Sequence, residues 1–181
     1  MFARTPRLLL RPGWIEDAPA LAAAIDDRAV VDHLATVPWP YTVEDAERHL
    51  SQRPDPKLPN LVILRRTLGA PQLIGGTRLI RVADGATEIG FWITRNCWGL
   101  GFATEAGRAM VDIARHALGL EELFAATFTD NISSQNVLAK LGFEPRGIMP
   151  RHCAARGKDF PARRFRMRLD QCGEGLISLA A

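Results

Sequence analysis

The segment Trp98-Gly99-Leu100-Gly101-Phe102-Ala103-Thr104-Glu105-Ala106 has the composition of a site that holds an anion. Two glycines and an alanine stand where bulkier side chains would keep a ligand away from the backbone. Phe102, Ala106, Met110, Ile113 and Ala117 then recur at helical spacing, so a helix begins near Gly101, and Gly119 marks its stop. The N–H groups of its first turn have no intrahelical acceptor, and the helix dipole favours negative charge beside them. A diphosphate is the natural occupant. Rossmann and P-loop sites use the same physics, but this chain has no G-x-x-x-x-G-K-[ST], and Ala103 and Thr104 break G-x-G-x-x-G. The segment also follows a meander in mid-chain, not the first strand of a βαβ unit, so nucleotide hydrolysis and dinucleotide binding both lose ground.

Other residues with chemical potential are more dispersed. Cys97 adjoins the segment, yet no histidine is placed beside it by sequence, and it reads as packing. Cys97, Cys153 and Cys172 are odd in number and far apart, which excludes a disulfide framework and a C-x-x-C metal site; no metal is expected. His33, His49, His116 and His152 are scattered and read as surface or packed residues, with His152 the one worth testing. From Arg146 to Arg168 there are eight basic residues and one acidic residue, Asp159. That excess fits an anionic ligand or partner, or a solvated charged face. Few aromatics interleave with these arginines beyond Phe160 and Phe165, so nucleic-acid binding is not expected.

The elements that must position these residues are legible as patterns. Leu8-Leu9-Leu10 before Pro12-Gly13 reads as a strand, and Glu16-Asp17 open an Ala-rich helix with Leu21 and Ile25 on one face. Prolines 38, 40, 54, 56 and 59 bracket a second helix, Val43 to Ser51, with Thr42 as its N-cap. Trp39-Pro40-Tyr41 forms either a lip over a cleft or a plug at the core edge. Leu61–Leu64, Leu73–Ile80 and Thr87–Thr94 make an antiparallel meander, with Leu68-Gly69-Ala70-Pro71 as its first turn. Leu123 to Phe128 is a further strand; Asp130-Asn131 cap a helix bearing Val137, Leu138 and Leu141, closed by Gly142. Arg164 to Leu169 alternates basic and apolar residues as a half-buried strand.

A length of 181 residues with 47% hydrophobic content suits one domain spanning 1–181, and the net charge of +3 says little about partners. The only apolar run near the N-terminus is too short for a signal segment or membrane span, so a cytosolic protein that does not enter membranes is expected.

With these residues in place, the chain resembles the GNAT acetyltransferase superfamily, in particular its branch similar to enzymes that acetylate ribosomal-protein N-termini. The likeness runs from Leu8-Leu9-Leu10-Arg11-Pro12 through Glu88-Ile89-Gly90-Phe91-Trp92-Ile93 and the Trp98–Ala106 segment to the stretch Asn131-Ile132-Ser133-Ser134-Gln135-Asn136-Val137-Leu138-Ala139-Lys140-Leu141-Gly142-Phe143. The superfamily loop Q/R-x-x-G-x-G/A falls on Trp98, Gly101 and Ala103; Trp98 departs from it, at little cost if backbone N–H groups do the binding.

The resemblance implies an α+β fold with a mostly antiparallel sheet of six to seven strands, flanking helices, and a splay between the fourth and fifth strands. It implies acetyl-CoA as cosubstrate. Its diphosphate would lie on Trp98 to Thr104, its pantetheine arm along the backbone of Phe91, Trp92 and Ile93, and Asn131 and Asn136 would hold it from the other side. Glu88 resembles the carboxylate that takes the amine proton through water, though an exposed strand-start carboxylate is the plain alternative. Its apolar neighbours would tune it by desolvation. Ser134 matches the position that protonates the leaving thiolate, where capping is the alternative. An α-amine titrates near about 8 and a lysine amine near about 10.4, so a weak water-relayed base suits a peptide N-terminus or a small amine of low basicity. The protein would work as a monomer or homodimer. A catalytically silent acetyl-CoA sensor of the same fold is the competing reading.

Overall fold

The structure, a computed structural model, describes residues 1–52, 55 and 57–169; Pro54, Pro56 and Cys172 lie outside them. Five strands open one sheet: β1 (Ala3–Arg4), β2 (Leu8–Pro12), β3 (Asn60–Arg65), β4 (Gln72–Arg81) and β5 (Thr87–Ile93). Each pairs antiparallel with the next. Three more follow, β6 (Glu122–Phe128), β7 (Glu144–Cys153) and β8 (Lys158–Arg168), giving the order β1-β2-β3-β4-β5-β6-β8-β7.

The join between β5 and β6 differs from every other. The two strands run parallel and meet at a single pair, Glu88 with Phe124, whereas β4 and β5 stay in register from Gly75–Ile93 to Arg81–Thr87. Beyond Glu88 the sheet opens; this is the expected splay, but it falls between the fifth and sixth strands instead of the fourth and fifth, because the two-residue β1 precedes the others.

The helices are α1 (Ala18–Ile25), α2 (Arg28–Val31), α3 (Val43–Ser51), α4 (Phe102–Asp112) and α5 (Ile132–Leu141). Thr42 forms the expected cap of α3: its hydroxyl accepts from Asp45 N while the Asp45 carboxylate accepts from Thr42 N. Gly142 closes α5 at φ +92°, a left-handed turn that glycine takes without strain. α4 runs on through one wider turn, Ile113–Ala117, before Gly119; Ala117, expected on the buried stripe, is exposed because that turn shifts the periodicity.

Strand alternation divides the apolar residues between two layers. Leu61, Ile63, Leu79, Ile89 and Ile93 pack with Phe102, Ala106 and Met110 of α4, Leu138 of α5, and Leu123 and Phe165 across the splay. On the other face Val62, Leu64 and Trp92 meet Leu21, Ile25, Val31, Tyr41 and Ala46 of the α1–α3 layer. Tyr41 is thus largely core, while Trp39 remains partly exposed.

Among the described residues eight strands form, against six to seven expected from the sequence. β1 is only two residues long, and β7 is exposed along nearly its whole length and carries Pro145, Gly147 and Pro150, so neither has a periodic apolar signature. The last strand also begins at Lys158 rather than Arg164.

Candidate active site

A cleft of about 910 Å³ passes through the splay and brings the loop before α4, the start of α5 and the free edge of β5 together. Gly99 and Gly101 have φ of +74° and +81°, a conformation that removes any bulky residue from the turn. Gly101 is the N-cap of α4, so no side chain caps the helix, and its first internal bond is Glu105 N to Gly101 O at 3.0 Å. The N–H groups of Phe102, Ala103 and Thr104 precede that bond at the cleft wall.

The loop is braced from outside the cleft. Arg7 donates to Leu100 O at 3.0 Å and to Glu105 at 2.7 Å, and its guanidinium lies 4.5 Å from the Phe102 ring. Leu100 therefore faces away from the cleft and serves it through its carbonyl; it is the one predicted loop residue that does not line it. Burial works against charge on Glu105, but the Thr5 hydroxyl at 2.6 Å and the Arg7 N–H and guanidinium outweigh it and hold the carboxyl below its usual range. Trp98 donates its indole N–H to Ile93 O at 2.7 Å, tying the loop to the end of β5.

That bond narrows what β5 offers to a ligand. Thr94 N bonds to Ile74 O of β4, so strand alternation turns the backbone groups of Trp92 toward β4 and those of Phe91 and Ile93 toward the gap. Trp92, expected to meet a ligand by its backbone, instead lines the cleft with its ring, stacked over Gly76. A Cβ on Gly76 would come to 2.7 Å from the Trp92 indole nitrogen, so glycine there is a packing requirement.

Across the gap, the Asn131 side-chain oxygen accepts from Ser134 N at 3.0 Å, capping α5. The cap thus belongs to Asn131, and the Ser134 hydroxyl, with the Asn136 amide, lines the cleft without a protein partner among the described residues. Cys97 is buried in the larger core layer, and Cys153 is buried with its thiol against the carbonyls of Asp32 and Leu34. Among the described residues no group of His, Cys, Asp and Glu is arranged to hold a metal.

Glu88 is not an exposed strand end: only 6% of it is accessible. Both terminal nitrogens of Arg151 donate to its Oε2 at 3.0 Å. Oε1 has no such partner among the described residues, and the residue lines the cleft. Arg151, Arg78 and His49 also line the cleft, and the sequence reading does not place them there. For Arg78 a signal existed, a charged residue inside an apolar strand. The basic stretch 146–168 is mostly engaged internally: Arg146, Arg151, Arg156, Arg164 and Arg166 pair with Glu144, Glu88, Asp130, Asp84 and Glu122. His152 pairs with Asp159 at the exposed hairpin, away from the cleft.

An uncapped helix start beyond a left-handed glycine, at the mouth of a splayed parallel pair, is the arrangement of a coenzyme A-dependent acyltransferase. Residues 7–144 match the family described as "Acetyltransferase (GNAT) domain". The chain belongs to this family, and is an acetyl-CoA-dependent N-acetyltransferase. It is 29% identical over 161 residues to the uncharacterized N-acetyltransferase p20 of Bacillus licheniformis, covering 85% of this chain and 88% of that protein. The fold is shared with the ribosomal-protein-S5-alanine acetyltransferase of Vibrio fischeri (TM-score 0.78, 18% identity, 94% of this chain and 97% of that one). It is shared equally with RimL, a ribosomal L7/L12 alpha-N-protein acetyltransferase solved with coenzyme A (TM-score 0.77, 17% identity, 94% and 99%). No helix among the described residues is long and apolar enough to cross a membrane.

Proposed function

We propose that the protein transfers the acetyl group directly to an α-amine of a peptide or to a small amine, with Glu88 as the proton acceptor. The observation that carries this is the position of Glu88, buried at the one point where β5 and β6 still touch and the sheet opens. A buried carboxylate needs a counter-charge, which Arg151 supplies at Oε2 while fixing the group's orientation. Oε1 is then the atom that takes the amine proton, directly or through one water.

The residues fit acetyl-CoA. The uncapped N–H groups of Phe102, Ala103 and Thr104, with the Gly99–Gly101 turn, would hold its diphosphate. The backbone of Phe91 and the N–H of Ile93 would pair with its extended arm, and Asn131 and Asn136 would close the other side. When bound it supplies a thioester to the narrow end of the splay. The Ser134 hydroxyl holds the proton available to the departing sulfur, and its freedom from the cap favours that role.

Glu88→Gln keeps the size and removes the basic oxygen. We expect release of coenzyme A in the presence of an amine panel to fall at least about a hundredfold, the scale of a lost general base, with acetyl-CoA affinity by calorimetry unchanged. Turnover that survives in Glu88→Gln would dismiss Glu88 as base. Tight acetyl-CoA binding by wild type with no turnover on any amine would leave the sensor reading.

A further inference from the structure

Among the described residues Arg78 is a charge in the cleft that forms no ion pair. It stands on β4, in register with Asn60 of β3 and Gly90 of β5, on the sheet face that also carries Glu88 and Trp92. The Arg78 stem runs beside Gly90, where a Cβ would make ordinary contact with Arg78 Cγ at 3.9 Å.

Three carboxylates line the cleft, and each already has an arginine: Asp45 has Arg48, Glu88 has Arg151, and Asp130 has Arg156. Arg78 is the lining arginine left over. Its one side-chain hydrogen bond among the described residues is to the Thr36 hydroxyl at 3.3 Å, a long contact to a neutral group. Partial burial, and then the positive charge of Arg151, weaken its hold on its proton, with Glu88 acting the other way. A guanidinium placed partly out of water beside a second cation gains most from an anion, and buried charges are as a rule paired.

The neighbours of Arg78 suit such an anion. His49 of α3 is kept below its usual pKa by burial and then by Arg78 itself, so it is neutral at physiological pH. Its Nε2 lies 3.4 Å from Asn60 Nδ2. Beside the charge there are thus neutral groups able to donate to further oxygens.

We propose that Arg78 binds an anionic oxygen group, carboxylate or phosphate, carried by the acceptor amine itself; this rests on the reading of the cleft as an amine-acetylating site. Arg78 and Glu88 occupy adjacent rows of the same sheet face, and diagonal neighbours of this kind lie about 7–8 Å apart. An amine at Glu88 with its anion at Arg78 is therefore compact, with a few bonds between the two groups. An amino acid or an aminoalkyl phosphate has this form. A peptide N-terminus without an acidic side chain nearby does not.

The test uses matched amines: free amino acids against their carboxamides, and phosphoethanolamine against ethanolamine. Binding to coenzyme A-loaded protein is measured by calorimetry, and acetyl transfer by coenzyme A release. We expect the anionic member of at least one pair to be favoured at least tenfold in both. The two kinds of pair tell a carboxylate site from a phosphate site. Arg78→Met should abolish the preference by raising KM, with kcat and acetyl-CoA affinity retained, and Arg78→Lys should keep part of it. Inorganic phosphate should compete with the anionic member in wild type, a readout independent of how well the variants fold. Equal use of neutral partners, or a preference that persists in Arg78→Met, overturns the proposal. If no amine is acetylated but the anionic members still bind through Arg78, the anion site stands and the transferase reading fails. If amines are acetylated without regard to charge, the reverse holds.

Discussion

Gly101 concentrates two demands in one residue: a left-handed backbone at the start of α4 and room for the Arg7 guanidinium beside it. Valine meets neither, because a β-branched side chain is strained at positive φ and its Cβ would come to 3.5 Å from Arg7 Nη2, crowding the guanidinium that braces the loop. Gly101→Val should remove detectable acetyl-CoA binding in calorimetry while the far-ultraviolet circular dichroism remains native. Retained affinity would mean that the loop is not where the diphosphate sits. The loop was legible in the sequence because everything it needs is local: two glycines, an alanine and the helical run that follows. The Glu88–Arg151 pair was not, because its members are 63 residues apart and nothing in the spacing of either points to the other. Arg151 also lies beyond the stretch 7–144 that matches the family. The role of Arg78 is not legible in the sequence for a related reason: it depends on which carboxylates are already taken, a property of the folded cleft alone.

At the level of elements, α3 shows how a short helix is fixed by its ends. It has nine residues and buries only Ala46 completely, so packing alone supports it weakly, and the reciprocal bonds between Thr42 and Asp45 pair two N–H donors that the helix itself leaves without acceptors. Thr42→Ala should lower global stability by about 1 kcal/mol, read from urea melts with an unchanged m-value. Because α3 also carries His49 into the cleft, fraying at its start should weaken amine binding before it weakens acetyl-CoA binding. This helix was predicted to its exact limits from the cap and the flanking prolines. The hairpin of β7 and β8 was only half predicted, since β7 is an exposed edge whose pairing is dictated by β8 and not by its own residues.

For the molecule as a whole, pH should act through two histidines. Burial foremost holds both His33 and His49 below the usual range; at His33 the Arg156 charge adds to it while Asp130 and Asp32 oppose. The His33 ring also meets Arg156 Nη2 through Nδ1 at 3.2 Å, a contact in which a neutral ring accepts. The unfolded chain then takes up protons that the folded one resists, so stability is full above about pH 6.5 and declines as pH falls below it toward the folded values. Thermal melts from pH 7.5 to 5 should show this decline, and His33→Gln with His49→Gln should flatten it. A slope unchanged in the double variant would assign the effect elsewhere. At lower pH Asp17 joins in: its bond to Arg11 outweighs burial, Trp14 N–H assists, and its contribution is lost only as pH falls below about 4.

The solitary Glu88–Phe124 pair has a thermodynamic corollary. Five strands lie on one side of it and three on the other, joined there by one backbone bridge and by the apolar layer beneath. A ligand strand laid into the opening would supply the rungs that the ladder lacks, and it has no such partner in the unfolded chain. Folding and occupancy are then linked equilibria: the melting temperature should climb with the logarithm of acetyl-CoA concentration, by an amount equivalent to about 2.7 kcal/mol at a hundred times the dissociation constant. The metabolite would serve as a component of the sheet as well as a donor, and the amount of intact protein in a cell would follow its supply.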